Sequence, residues 1–319
     1  TRFRNVTGVQ TCALPILIYV YGWFPPRTCV EWAIIGGTWL PAALWCAESF
    51  LTTRWWRYAI GLSGVLAVQL LAGHFQIAWF TLLLLTAYVP ARVFWFGTDS
   101  HQPTADSQQP EMTSRKPFSH PFRLTFVITA AMFCGLGLAA IQLLPTYELK
   151  QRSQRATVGK EHELDFGAIP TWYWQQINEP SYWYSPLTVR EGAFRDHPPH
   201  GQARTNSAEA HLFFGITPLL LVAAGLGQVL VRRDRKMLFW WVILVLSGLY
   251  TSGCLLPVTR FLPGFSYFQG AGRYGLLTTW AAAILAGTVV DRFLHAVQFS
   301  RVVAMAVLAG AVWSDLAVY

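Results

Sequence analysis

The chain is 319 residues long; 53% are hydrophobic, 15% aromatic and only 13% charged, and the mean hydropathy is +0.34. A soluble domain carries about 25% charged residues, so the deficit excludes a disordered or nucleic-acid-binding chain and weighs against a water-soluble globule. The formal net charge of +8 is concentrated between long apolar runs, the pattern of a polytopic membrane protein.

In chain order, the first segment asks to be set aside. Val6-Thr7-Gly8-Val9-Gln10-Thr11-Cys12-Ala13-Leu14-Pro15-Ile16 looks like the translation of a common sequencing adapter, so residues 1–16 read as an artefact. With them go the Asn5-Val6-Thr7 sequon, Cys12, Arg2 and Arg4, and the net charge of +8 falls by two to +6. The expectation is that the genuine chain starts in mid-sequence at Leu17 and is cut again at Tyr319, leaving the middle of a longer protein.

A helix crossing the hydrocarbon core takes about 20 apolar residues. Eight stretches approach that length, near 32–51, 57–73, 75–96, 124–145, 211–231, 237–256, 274–291 and 301–318. Leu17–Phe24 reads as the end of a further helix. Backbone polar groups cannot stay unpaired in lipid, so helices are the natural assignment. The expected fold is all-α: a polytopic transmembrane helical bundle of about eight spans with one long extracytoplasmic loop. Trp32, Trp55, Trp56, Trp95, Trp240 and Trp241 lie near run ends, as in interfacial aromatic belts.

Charge sets the orientation. With Arg54-Trp-Trp-Arg57 in the cytoplasm, alternation puts inside the 97–123 stretch (Arg115, Lys116, Arg123), Arg232-Arg-Asp-Arg-Lys236 and Arg292. The turn at His74, the 146–210 loop and the 257–273 loop fall outside, and each short inner loop is basic. The domains are then 17–145 (N-terminal spans, with a Gln-, Ser- and Pro-rich cytoplasmic linker at 97–123), the extracytoplasmic loop 146–210, and the spans of 211–319. That loop holds eight of the sixteen acids among Trp172, Tyr173, Trp174, Tyr182, Trp183 and Tyr184, more than a connection needs.

Polar groups inside or beside spans are costly and therefore informative. Glu48 and Gln69 lie within apolar runs, with Glu48 near an end that reaches the interface. His74 and Gln76 sit where two helices meet on the outer side; a hairpin cap and a ligand-facing pair are equally consistent. Pro145 is expected to stop or kink its helix, setting Glu148 at the outer mouth beside Arg152 and Arg155. One reading there is a plain interfacial ion pair, worth little; the other is a carboxylate and guanidinium facing a phosphorylated substrate, whose geometry suits arginine. Glu161-His162-Glu163-Leu-Asp165 and His197-Pro-Pro-His200 lack metal-ligand spacing, so no cofactor is expected. A divalent metal has only this weak support. Glu209 and His211 precede the fifth span. Gly264–Arg273 (GFSYFQGAGR) is neither a Walker nor a Rossmann loop; it reads as a tight turn or as an anion site beside Arg273. Cys46, Cys134 and Cys254 are expected as small buried hydrophobes, with no disulfide framework.

Several stretches together resemble a known family. Leu70-Leu-Ala-Gly-His74-Phe-Gln76 resembles the "LAGHPQ" stretch of the bacterial YfhO-like membrane proteins. Gln142-Leu-Leu-Pro-Thr-Tyr-Glu148 with Ser153 and Arg155 resembles their helix-to-loop junction. Glu209 with Phe214-Gly-Ile-Thr-Pro-Leu219, and Leu262-Pro-Gly-Phe-Ser266 with Arg273 and Leu285-Ala-Gly287, resemble later segments in the same order. The similarity runs from about Trp39 to Asp315; Phe75 stands where the family usually has proline, and Gln269 where an arginine is common. The resemblance implies a GT-C-like fold in the bacterial inner membrane. It implies an inverting glycosyltransferase that moves sugar from a polyprenyl-phosphate donor to an envelope polymer or lipid on the outer face. The catalytic aspartate would lie upstream of Leu17. On that reading Arg155 or Arg273 holds the lipid-linked phosphate, and Glu148 or Glu209 orients sugar hydroxyls. The alternatives are a carrier or flippase for lipid-linked glycans and a non-catalytic envelope assembly protein.

Overall fold

The computed structural model describes residues 15, 16, 18–20, 31–96, 121–152, 212, 216–268, 270–296 and 310. Every extended element among them is helical, and none is a strand. Four helices are long and apolar enough to cross a membrane: Ile34–Thr53, Phe75–Trp95, Pro121–Leu138 and Ala271–Phe293. Trp56–Leu71 and Ile216–Arg232 are shorter apolar helices. The expected span at 301–318 lies outside the described residues, Gly310 excepted. The chain forms two compact units, one of residues Ile35–Ser153 and the other of Thr1–Ile34 with Gln154–Tyr319.

The first unit follows α1 (Glu31–Gly37) and comprises α2 (Trp39–Thr53), α3 (Trp56–Leu71), α4 (Phe75–Pro90), α5 (Pro121–Leu138) and α6 (Ala140–Arg152). Helix α3 packs against both α2 and α5. Small residues set the spacing, as expected where lipid leaves no hydrophobic force between helices. A Cβ on Gly135 would lie 2.9 Å from the Leu66 Cβ and 3.0 Å from the Ser63 carbonyl, so only glycine lets α5 approach α3 there. One turn earlier the Ser63 hydroxyl donates to the Ala131 carbonyl at 2.9 Å. Gln69, fully buried on α3, donates to the Gly36 carbonyl at 2.8 Å and to Thr81 Oγ1 on α4 at 2.9 Å. Its place inside an apolar run is thus explained by a polar tie between helices. Beyond Pro90, which lacks an N–H for the preceding turn, α4 continues as a π-turn over Ala91–Trp95, the kind of ladder adjustment that follows a missing donor.

Two expectations are corrected here. Pro145 does not end its helix: α6 runs on to Arg152 with Pro145 inside it. The break falls instead at Ala139, between α5 and α6, so residues 146–152 are helical rather than loop. The carbonyl that Pro145 leaves without its usual N–H donor is that of Ile141, while the Thr146 hydroxyl donates to the next carbonyl, Gln142, at 2.8 Å. Of the three cysteines expected to be buried, Cys46 is; Cys134 and Cys254 are exposed, because an apolar run has an outward as well as an inward face.

The second unit holds α7 (Ile216–Arg232), α8 (Arg235–Thr251), the single turn α9 (Leu256–Thr259), short 3-10 turns at Phe265–Tyr267 and Ala271–Tyr274, and α10 (Gly275–Ala296). Helix α10 packs against α7 and α8. Leu276, Ala281, Ala282, Ala283, Leu285 and Ala286 are wholly enclosed, and a helix apolar on every side belongs at the centre. The Ser247 and Thr278 hydroxyls share a 2.8 Å hydrogen bond between α8 and α10. Trp280 meets Tyr19 edge-to-face at 4.9 Å, a favoured aromatic geometry.

Candidate functional site

Each unit has one end rich in arginine and another built from glycine turns, and the candidate residues divide between them. At the glycine end of the first unit, α3 closes on Ala72 and Gly73. Gly73 has φ +86° and donates to the Leu70 carbonyl at 3.1 Å, a left-handed conformation that glycine adopts without steric cost. His74 takes the N-cap position of α4, but its side chain makes no capping hydrogen bond; the backbone carbonyl accepts from Ile77 at 3.2 Å. Gln76 is buried, so of the predicted pair only half-buried His74 reaches the surface of the turn.

Phe75 packs with Leu136 and Leu143 against the buried group Leu70, Ala78 and Ala139. The residue that departs from the "LAGHPQ" pattern therefore pins the start of α4 to the α5–α6 break. That packing brings Gln142 to the turn, its Nε2 lying 3.6 Å from where a Gly73 Cβ would stand. His74, Gly73 and Gln142 form one polar corner from segments some seventy residues apart. Glu148 stands further along α6, paired with Arg152 at 2.7 Å. The two side chains are 61% and 78% exposed, so this is an open i,i+4 ion pair of small energetic weight. Arg155 and Glu209 lie outside the described residues.

At the glycine end of the second unit, Gly253, Gly264 and Gly270 all have positive φ. Arg273 donates its backbone N–H to the Gly270 carbonyl at 3.1 Å, and its side chain folds back over the same glycine. Gly270 is required by its φ of +85°, and a Cβ there would also push the Arg273 side chain, whose Nε would lie at 2.9 Å, off its place. Beside it Tyr250, Phe265 and Tyr274 cluster, with centroids 4.0 Å apart for the two tyrosines and 5.5 Å for Tyr250–Phe265. Phe265 belongs to the Leu262–Ser266 motif, whose glycine turn delivers it to this cluster. Tyr267 stays exposed on the loop.

The arginine ends carry groups that the sequence reading did not assemble. In the first unit, Glu48 on α2 accepts from Arg92 Nε at 3.1 and 3.2 Å and from the Tyr88 hydroxyl at 2.8 Å. The π-turn carries Arg92 to that point. In the second, Arg292 on α10 binds Asp234 in the α7–α8 turn and donates to Gln228 Oε1 at 3.0 Å. The partners are separated by 44 and 58 residues, so no local spacing announces them. Among the described residues there is no cluster of three or more His, Cys, Asp or Glu suited to a metal; the acidic and histidine stretches of the 146–210 loop lie outside them. The chain matches no protein-family model, no curated protein and no solved structure.

Proposed function

We propose that the chain is part of an integral membrane glycosyltransferase of the GT-C type, related to the YfhO-like proteins. In this reading it is a multi-pass protein of about eight spans in the bacterial inner membrane, with the 146–210 loop on the outer side. It would use a polyprenyl-phosphate sugar donor and an envelope glycan or lipid acceptor, and need no cofactor. The single observation that carries the reading is the Arg273 corner. There a guanidinium is held over a glycine turn beside tyrosine and phenylalanine rings, at the opposite end of α10 from the basic Arg292 tie. A cation at the outer end of a span suits a lipid-linked phosphate, and exposed loop rings such as Tyr267 suit the apolar face of a sugar. His74 and Gln142 offer hydrogen-bonding groups at the glycine end of the other unit.

The test is binding of a polyprenyl phosphate to the purified chain in detergent, measured by native mass spectrometry. Retention that falls about tenfold in Arg273→Gln, the scale of a lost charge-assisted contact, supports the reading. Retention indifferent to Arg273→Gln and to His74→Ala removes it.

A further inference from the structure

The hairpin of α2 and α3 turns through Arg54-Trp55, followed by Trp56 and Arg57 at the start of α3. Arg54 Nη1 is buried and has no hydrogen-bond partner among the described residues. A buried donor left unmade is expensive, and more so on a charged group. The nearest carboxylate does not answer it: both oxygens of Glu48 are taken by Arg92, and one of them also by Tyr88. Burial first, and the Arg92 charge next, hold the Arg54 guanidinium below its ordinary range, with Glu48 opposing.

Arg57 completes a shelf. Its guanidinium lies 4.0 Å from the Trp55 ring centroid and 4.8 Å from that of Tyr58, and it donates to the Tyr58 hydroxyl at 3.1 Å. Trp55 and Trp56 are 55% and 70% exposed. We propose that the Arg54–Arg57 turn binds the phosphate of an anionic phospholipid in the leaflet that this end of the hairpin faces.

The occupant is a lipid rather than a soluble anion because of where the turn stands. The Ile34–Thr53 helix, long enough to cross a membrane, stops one residue before Arg54. Two exposed indoles flank it, and indoles settle at headgroup level with one face in the acyl region. One carboxylate, engaged by Arg92, against the three guanidinium groups of Arg54, Arg57 and Arg92 leaves the corner net positive. Guanidinium groups match phosphate oxygens in pairs. The proposal rests on the membrane reading of the apolar helices and is independent of the glycosyl-transfer reading, whose lipid phosphate belongs at Arg273.

The experiment is native mass spectrometry of the whole chain in mild detergent, titrated with phosphatidylglycerol or phosphatidylcholine. The wild type should retain phosphatidylglycerol preferentially. Arg54→Gln and Arg57→Gln should each weaken retention about fivefold, the weight of one basic residue at an anionic surface. Arg232→Gln/Arg233→Gln, which removes more charge from the other basic turn, should change it less than either. Equal retention of the two lipids, or an equal loss in the control, would overturn the site. Full displacement by free glycerol phosphate would reassign it to soluble anions and overturn the lipid. Should Arg54→Gln fail to fold, exposed Arg57→Gln decides alone.

Discussion

The α2–α3 and α7–α8 hairpins solve the same geometric problem with different chemistry. Each turns in two residues. In each the first is an arginine in the left-handed region, Arg54 at φ +63° and Arg233 at φ +51°, the two non-glycine residues with positive φ among those described. Each donates its N–H to the carbonyl four residues back, Phe50 or Val229, at 2.9 Å, the αL form of helix termination. The second residue is extended in both: Trp55 at φ −85°, ψ 119° and Asp234 at φ −70°, ψ 109°. From there they diverge. The Asp234 carboxylate caps α8 by accepting from the Lys236 and Met237 N–H groups at 2.8 and 3.2 Å, and it also holds Arg292. Trp55 caps nothing, so the carboxylate must come from Glu48 inside α2 and is spent on Arg92. One turn supplies its own carboxylate, while the other keeps a guanidinium donor unanswered. The backbone path of a turn is thus indifferent to its second side chain, and its electrostatics are not.

The largest expected effect tests the self-contained turn. Asp234→Ala removes the cap and strands Arg292, whose side chain is 27% exposed, and should cost about 3–4 kcal/mol. Thermal unfolding in detergent reads this as a lowered midpoint. Asn caps nearly as well as Asp, so Asp234→Asn should recover about 1 kcal/mol of the loss; no recovery would mean the cap contributes nothing. Glu48→Ala comes next. It removes the carboxylate that both Arg92 and the Tyr88 hydroxyl donate to, yet Glu48 is 39% exposed, so the cost should be about 2 kcal/mol. A greater loss than in Asp234→Ala would reverse the contrast drawn between the turns.

A smaller effect appears with pH. Burial, the largest influence on Asp234, raises its proton affinity. The Arg292 hydrogen bond, the Met237 N–H, the Arg292 charge and the Lys236 N–H together outweigh it and hold the carboxyl below its usual range. A depressed folded-state pKa adds stability that is complete above the unfolded value and lost as pH falls through the folded one. The melting midpoint should therefore fall below about pH 4, and Asp234→Asn should flatten that fall. An unchanged acid limb in the variant would count against the ion pair. The smallest effect concerns the left-handed arginines. Arg233→Gly should stabilise by about 0.5–1 kcal/mol by relieving φ. Arg54→Gly should gain more, because it also removes a buried guanidinium donor that has no partner among the described residues. Equal gains in the two would show that the Arg54 side chain is idle in the free protein.

Much of the candidate site was legible only in pieces. His74, Gln76, Glu148 and Arg273 stood out because polar groups at the ends of apolar runs are rare. The structure then separates their roles: Gln76 turns inward, Glu148 pairs among the described residues with an exposed neighbour one turn away, and Arg273 is folded against its own loop. Gln142 gained its place only through Phe75, a residue that looked like a defect in a motif. Of the stop and the kink that Pro145 allowed, the structure excludes the stop, since α6 continues to Arg152.

What the sequence determined by itself was the helical class and the rough position of its apolar elements, since lipid forces every backbone group into local pairing and composition alone reports the solvent. Turn positions followed for the same reason, wherever glycine or clustered arginine interrupted an apolar run. Which faces meet was decided only in three dimensions. Gly135 against Leu66, Gln69 between Gly36 and Thr81, and each carboxylate with its distant arginine all depend on helix rotation. Rotation is set by contacts between residues far apart in the chain, and where nearly every side chain is apolar, no periodicity marks the inward face.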